Sequence, residues 1–122
     1  MGAKKILLVD DSNTVLLMER MLLANEGYEL LTASNGREAI IKATEEKPDL
    51  ILLDVVMPEV SGFEACKQIR AQESTREIPI IMVTTRSEAT NVQIGFESGC
   101  NDYVTKPING VELITKVKNH IS

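Results

Sequence analysis

Five strand-like segments alternate with five helical ones along this chain of 122 residues. That alternation predicts a three-layer α/β sandwich, a five-stranded parallel sheet with helices on both faces and right-handed crossovers. A second observation points the same way: Leu50, Ile51, Leu52 and Leu53 form an unbroken apolar run, the pattern of a strand covered on both faces. Third, the apolar runs end on polar groups, with Asp10 and Asp11 after the first, Asp54 after the third, and Thr84 and Thr85 after the fourth. Open α/β sheets bind ligands at the carboxyl ends of their strands, so neighbouring strands would bring these groups to one edge.

The first strand is expected over 4–9, where apolar residues run up to Asp10. Ser12 or Asp11 then caps a helix over about 13–25. Its apolar residues, from Val15 to Leu23, cover a wider arc than one sheet face buries; Leu17 and Met21 lie at the margin of that arc. They are expected to pack against a neighbouring helix, the alternative being an apolar docking surface. Asn25-Glu26-Gly27 reads as a helix stop with Gly27 in the left-handed position. A second strand follows over 28–33, then the turn Ser34-Asn35-Gly36 and a helix over about 37–46 with Ala39, Ile40 and Ala43 on one face.

Lys47-Pro48-Asp49 ends that helix and the central strand begins. Pro58 and Gly62 punctuate the loop after Asp54, and a helix runs from there to about Ala71 with Ala65, Cys66 and Ile69 facing in. The fourth strand is expected over 78–83, a fourth helix over 88–97 ended by Ser98-Gly99, and a short fifth strand over 102–105. Asn109 caps a last helix that turns Val111, Leu113, Ile114, Val117 and Ile121 inward, with His120 as an exposed cap suited to the helix dipole.

Composition bounds the function. Hydrophobic content of 43% and charged content of 25% are ordinary for a globular chain, and the length fits one domain over 1–122. A net charge of -5 with no basic run argues against direct contact with nucleic acid, and 3% aromatic content leaves little for base stacking. Cys66 and Cys100 lack any metal or redox spacing, so reduced thiols and a cytoplasmic location are expected. No apolar run reaches the roughly 20 residues needed to span a bilayer, so no membrane insertion is expected.

The chemistry lies in the polar strand ends. Three clustered carboxylates, Asp10, Asp11 and Asp54, would repel one another if left bare. A hard divalent cation with all-oxygen ligands resolves this, and Mg²⁺, which retains waters and can accept a phosphate oxygen, fits best. Lys106 supplies a cation for Asp54 or a phosphoryl group, and Thr84 a hydroxyl. Together they form a clamp around a transferring phosphoryl group, with Asp54 as the nucleophile that forms an acyl phosphate. Singly, each residue has an ordinary explanation as a cap, a strand end or a turn; the argument rests on their conjunction.

These residues carry a resemblance. Asp10-Asp11, Asp54 within Leu53-Asp54-Val55-Val56-Met57-Pro58, Gly62, Thr84 and Lys106-Pro107 together resemble the receiver domain of two-component response regulators, across essentially the whole chain. The resemblance implies a flavodoxin-like strand order 2-1-3-4-5. It implies that Asp54 is the phosphoacceptor, that Asp11 ligates Mg²⁺ with Asp10 assisting, and that the backbone carbonyl of Val56 is a further ligand. It also implies that Thr84 and Lys106 hold phosphoryl oxygens, that Lys106–Pro107 is cis, and that Tyr103 is an aromatic switch coupled to Thr84. The implied partners are a histidine kinase or histidine phosphotransfer protein and a downstream effector, either a separate protein or a domain outside this chain. A stand-alone receiver that works by docking is expected, through the fourth helix, fifth strand and fifth helix, with the first helix meeting the kinase.

Two rival readings remain. An aspartyl-phosphate phosphatase of the haloacid-dehalogenase type places an acid/base Asp two residues after the nucleophile, where this chain has Val56. A receiver-shaped scaffold independent of phosphate would not need all the chemical positions filled. A flavodoxin's phosphate loop and a dinucleotide-binding glycine motif are both missing. Thr85 and Arg86 are bulky beside Thr84, and Val56 offers no polar group to orient water, so slow self-dephosphorylation is expected.

Overall fold

The structure, a computed structural model, describes residues 2–85 and 89–121, with residues 89–91 as backbone only. In chain order the elements are β1 (Lys5–Val9), α1 (Asn13–Leu23), β2 (Glu29–Ala33), α2 (Gly36–Glu46), β3 (Leu50–Asp54), α3 (Gly62–Ala71), β4 (Ile80–Thr85), α4 (Ala89–Ser98), β5 (Asp102–Lys106) and α5 (Gly110–Ile121). The strands are all parallel, in the order β2-β1-β3-β4-β5, as the resemblance implied.

The sheet divides the core in two, and the period-2 alternation of strand side chains decides which half each residue joins. Leu7, Val9, Ile51, Leu53, Ile80 and Met82 pack with Ala39 and Ala43 of α2 and Ala65, Cys66 and Ile69 of α3. Ile6, Leu8, Leu50, Leu52, Ile81, Val83 and Val104 pack on the other face with Leu16 and Leu23 of α1 and Leu113, Val117 and Ile121 of α5. Every residue of β3 is buried, so its sequence shows no polar alternation. Each fully buried Leu or Ile contributes roughly 1.5–3 kcal/mol.

Side-chain caps start the helices. Ser12 accepts from the Val15 N–H at 3.3 Å, Asn35 from Glu38 at 2.8 Å, Ser61 from Glu64 at 3.2 Å and Asn109 from Glu112 at 3.0 Å. The choice left open between Asp11 and Ser12 therefore falls to Ser12. Lys47, at φ 47°, closes α2 in the left-handed conformation.

Several expectations are corrected. Helix α1 ends at Leu23, and Gly27, at φ 83°, turns the chain toward β2 instead of closing the helix. Leu17 and Met21 are not covered by a neighbour among the described residues: they are 59% and 69% exposed, and the inward stripe is Leu16, Glu19 and Leu23. Strand β4 begins at Ile80, because Pro79 has no N–H to donate, and it continues through Thr85. Strand β5 extends to Lys106, which pairs in register with Thr85. Val111 points outward at 77% exposure. His120 is not a free cap; α5 lies along β5, and its Nε2 is 3.3 Å from Asp102 Oδ2. Glu88, the expected start of the fourth helix, and Arg86 lie outside the described residues. Cys66 and Cys100 are free and buried. Among the described residues no helix is long and apolar enough to cross a membrane.

Gly62 shows how tightly the loop after β3 is drawn back onto the strand. Its N–H donates to the Val55 carbonyl at 2.9 Å, and a Cβ there would fall on the Asp54 carbonyl oxygen and 2.9 Å from Val55 Cα. Gly62→Ala is therefore expected to destabilise the fold by about 1–3 kcal/mol, read as a lower denaturant midpoint. Gly2→Ala, with nothing within 4 Å, should leave the midpoint unchanged.

Candidate functional site

Strands β1 and β3 are neighbours at the point where the sheet order reverses, the position at which doubly wound sheets open a crevice. Val9 pairs with Leu53 in register, so the residues that follow lie side by side. Oxygen atoms of Asp10, Asp11 and Asp54 all lie within 4.8 Å of one another. Asp10 and Asp54 are 1% and 3% exposed, whereas Asp11 is open to solvent. The turn after β1 is held by Asp10 itself, whose Oδ1 accepts from the Ser12 N–H at 2.9 Å.

Lys106 reaches this cluster from the far end of β5. Its Nζ is 3.0 Å from Asp54 Oδ1 and 3.4 Å from Asp10 Oδ2. Burial pushes the Asp54 carboxyl up to about 6; the Lys106 hydrogen bond and charge oppose that rise, and Asp10 and Asp11 add to it. Burial alone would lower the Lys106 ammonium, but its bond to Asp54 and the charges of Asp54 and Asp10 outweigh that, and its pKa is raised. One ammonium is thus shared between two buried carboxylates.

Thr84 lies one residue beyond the Asp54–Val83 pair of β3 and β4 and is 3% exposed. Val56 follows Asp54 in a loop anchored at both ends of Val55, whose N–H donates to Val83 and whose carbonyl accepts from Gly62; Val56 itself is 63% exposed. The Lys106–Pro107 peptide is cis. Tyr103, opposite Met82 in register, lies on the same sheet face as Thr84 by the strand alternation.

Three residues around this constellation escaped the sequence reading. Phe96 of α4 meets the Tyr103 ring edge-on, with centroids 6.1 Å apart. Lys116 of α5 donates to the Tyr103 carbonyl at 2.6 Å and lies 4.8 Å from the ring centroid. Both contacts join different elements, α4 to β5 and β5 to α5, so no pattern within one element marks them. The third, Glu19, had a legible signal: a lone charge three residues from Leu16 and four from Leu23, inside an apolar stripe. It is 1% exposed, and burial first, then Asp10 and Asp54, push its carboxyl up to about 8 against the pull of Lys106.

These shifts carry a sign for stability. Glu19 and Asp54 bind protons more tightly folded than unfolded, so their contribution is fully present below their ordinary values of 4.5 and 3.8. It is lost as pH rises through about 6 for Asp54 and about 8 for Glu19. In chelator, thermal stability should fall from pH 4 toward pH 8, and Glu19→Leu should raise the melting temperature more at pH 8 than at pH 4.5. Equal gains at both pH values would show that Glu19 does not hold a raised pKa.

Comparison with known proteins fits this arrangement. Residues 6–118 match the response regulator receiver domain family. The chain is 44% identical over 115 residues to the alkaline phosphatase synthesis transcriptional regulatory protein PhoP of Bacillus subtilis, covering 94% of this chain and 47% of that protein. It is 38% identical over 113 residues to protein PilH of Pseudomonas aeruginosa, covering 93% of each. The receiver domain of a sensor histidine kinase from Pseudomonas aeruginosa, solved with a magnesium ion coordinated in its active site cleft, superposes with a TM-score of 0.91 at 31% identity, covering 98% of each chain. Relatives such as PhoP are about twice as long as this chain. The family match over most of the chain, the parallel five-stranded sheet and the acidic crevice have one explanation: this chain belongs to the response regulator receiver domain family.

Proposed function

We propose that residues 1–122 form one receiver domain that accepts a phosphoryl group on Asp54 and so changes the surface it offers to a partner. The observation that carries this reading is the convergence of Asp10, Asp11 and Asp54 within 4.8 Å, with the Lys106 ammonium 3.0 Å from Asp54.

The donor set fits Mg²⁺: three carboxylates offer only hard oxygen ligands, and a single lysine leaves them undercompensated. Asp10, Asp11, Asp54 and the Val56 carbonyl would hold the ion. When bound, it would neutralise charge on the carboxylates and on phosphoryl oxygens. Asp54 ionises at about 6, so near neutral pH it presents a carboxylate nucleophile. Its oxygen forms a bond to phosphorus as the bond from phosphorus to the donor histidine nitrogen breaks, and the released imidazole nitrogen takes up a proton. The donor is a histidine kinase or histidine phosphotransfer protein, and exposed Leu17 and Met21 give α1 an apolar face for it.

The acyl phosphate carries about −1.5 to −2 charge in place of the single charge of the carboxylate, beside Lys106, which already contacts Asp54, and near Thr84 at the end of the adjoining strand. Both gain contacts by moving toward the phosphoryl group. Tyr103 shares the face of Thr84 and is gripped by Phe96 and Lys116, so a shift of Thr84 changes the room available to its ring. The surface of α4, β5 and α5, where Phe96 and Val111 are exposed, passes that change to an effector, either a separate protein or a further domain. The place of action is the cytoplasm. The phosphatase reading finds no support, because Val56 supplies no acid or base.

Intact mass after incubation with acetyl phosphate tests the acceptor. A Mg²⁺-dependent gain of one phosphoryl group in the wild type, absent in Asp54→Ala, is expected. No gain in a folded wild-type protein would overturn the reading. The phosphorylated form is expected to be long-lived, because the exposed side chain at position 56 is apolar and the residue after Thr84 is the bulky Thr85. The double change Val56→Asn, Arg86→Glu should shorten its lifetime, followed as loss of the added mass; an unchanged lifetime would refute the account.

A further inference from the structure

Glu19 has no part in the mechanism above, yet it is a charged residue buried to 1% exposure. It lies between Leu16 and Leu23 on the buried stripe of α1, and both its carboxylate oxygens are buried with no hydrogen-bond partner among the described residues. An ionised carboxylate there, unpaired, costs several kcal/mol, whereas a leucine at the same place would only add to the core.

Its surroundings explain when a charge would be tolerated. Asp10, Asp54 and Lys106 continue the strand alternation of Leu8, Leu52 and Val104, so they project from the sheet face that α1 covers. Glu19 therefore lies in the layer beneath the acidic centre. The charged groups that act on it are Asp10 from β1, Lys106 from β5 and Asp54 from β3. Helix α5, which also packs against α1, buries only Leu113, Val117 and Ile121. With no cation, the two carboxylates of Asp10 and Asp54 facing one ammonium repel a further negative charge at Glu19. A divalent cation cancels that excess.

We propose that Glu19 is a proton store for the acidic centre: it carries a proton while Asp10, Asp11 and Asp54 hold no divalent cation, and releases it to solvent when one binds. The step breaks the carboxyl O–H bond, leaves the electron pair on Glu19 as carboxylate and passes the proton to buffer. Burial and repulsion by Asp10, which hold this carboxyl up at about 8, agree with the protonated starting state near neutral pH. The inference rests on the reading of the centre as a Mg²⁺ site. It makes cation affinity depend on pH in a range where exposed carboxylates no longer titrate.

Isothermal titration of the full chain with MgCl₂ at pH 7, in two buffers of different ionisation enthalpy, counts the protons released per ion. The wild type should release close to one proton more than Glu19→Gln or Glu19→Leu. Its Mg²⁺ affinity should also gain several-fold between pH 7 and pH 8, a gain that both variants lose. Glutamine keeps the shape and leucine suits the core, so either variant that folds by circular dichroism gives the comparison. Mg²⁺ binding with no proton release from the wild type, or with equal release in the variants, overturns this proposal and leaves the metal reading standing. No Mg²⁺ binding at all overturns both.

Discussion

Three carboxylates crowded at one edge of a parallel sheet cannot all remain ionised unless positive charge is brought to them, and much of this molecule follows from meeting that demand. Lys106 meets part of it from a strand two places away from β3, bonding Asp54 and Asp10 at once. The rest is unmet by the described residues, which leaves a crevice suited to a divalent cation and to an incoming group rich in oxygen. The sheet enforces this arrangement. All five strands are parallel, so their carboxyl ends share one edge, and the reversal of order between β1 and β3 keeps helices from covering it.

The opposite demand, burial of apolar surface, governs everything away from that edge. The central strands are sealed on both faces, which makes the sheet a rigid platform. A change of charge at its edge would therefore fall on side chains at the margin. Tyr103 is one of these. It stands on an edge strand between Phe96 and Lys116, and Lys116 also pairs with Asp102 and Glu112. His120 adds to the hold on Asp102. The contacts of the Tyr103 ring are thus shared among α4, β5 and α5, the elements through which a signal would leave the domain.

Helix α1 departs from the ordinary division of apolar inside and polar outside. It exposes Leu17, Met18 and Met21 while burying Glu19. Neither feature improves the packing of the isolated domain: exposed apolar area gains nothing from water, and a carboxylate without partners weakens the core. Both lie on the helix that flanks the acidic crevice, which is why each is best understood through what the crevice binds or meets.

The sequence by itself determined the class of fold, the identity of the elements and the residues of the acidic centre. Burial on two faces writes unbroken apolar runs, capping residues mark helix starts at Asp11 or Ser12, at Ser34-Asn35-Gly36 and at Asn109, and the groups at strand ends must be polar because that edge meets solvent. These signals are local, and they are strong. The tertiary structure decided what depends on distant partners. Lys106 comes to Asp10 across 96 residues of chain, and His120 reaches Asp102 because α5 lies along β5. Leu17 and Met21 stay exposed because, among the described residues, no helix packs on that side of α1. Glu19 stands between: its place in the stripe was readable, but its meaning came only from the charges that β1, β3 and β5 set above it, and those meet only once the sheet has formed.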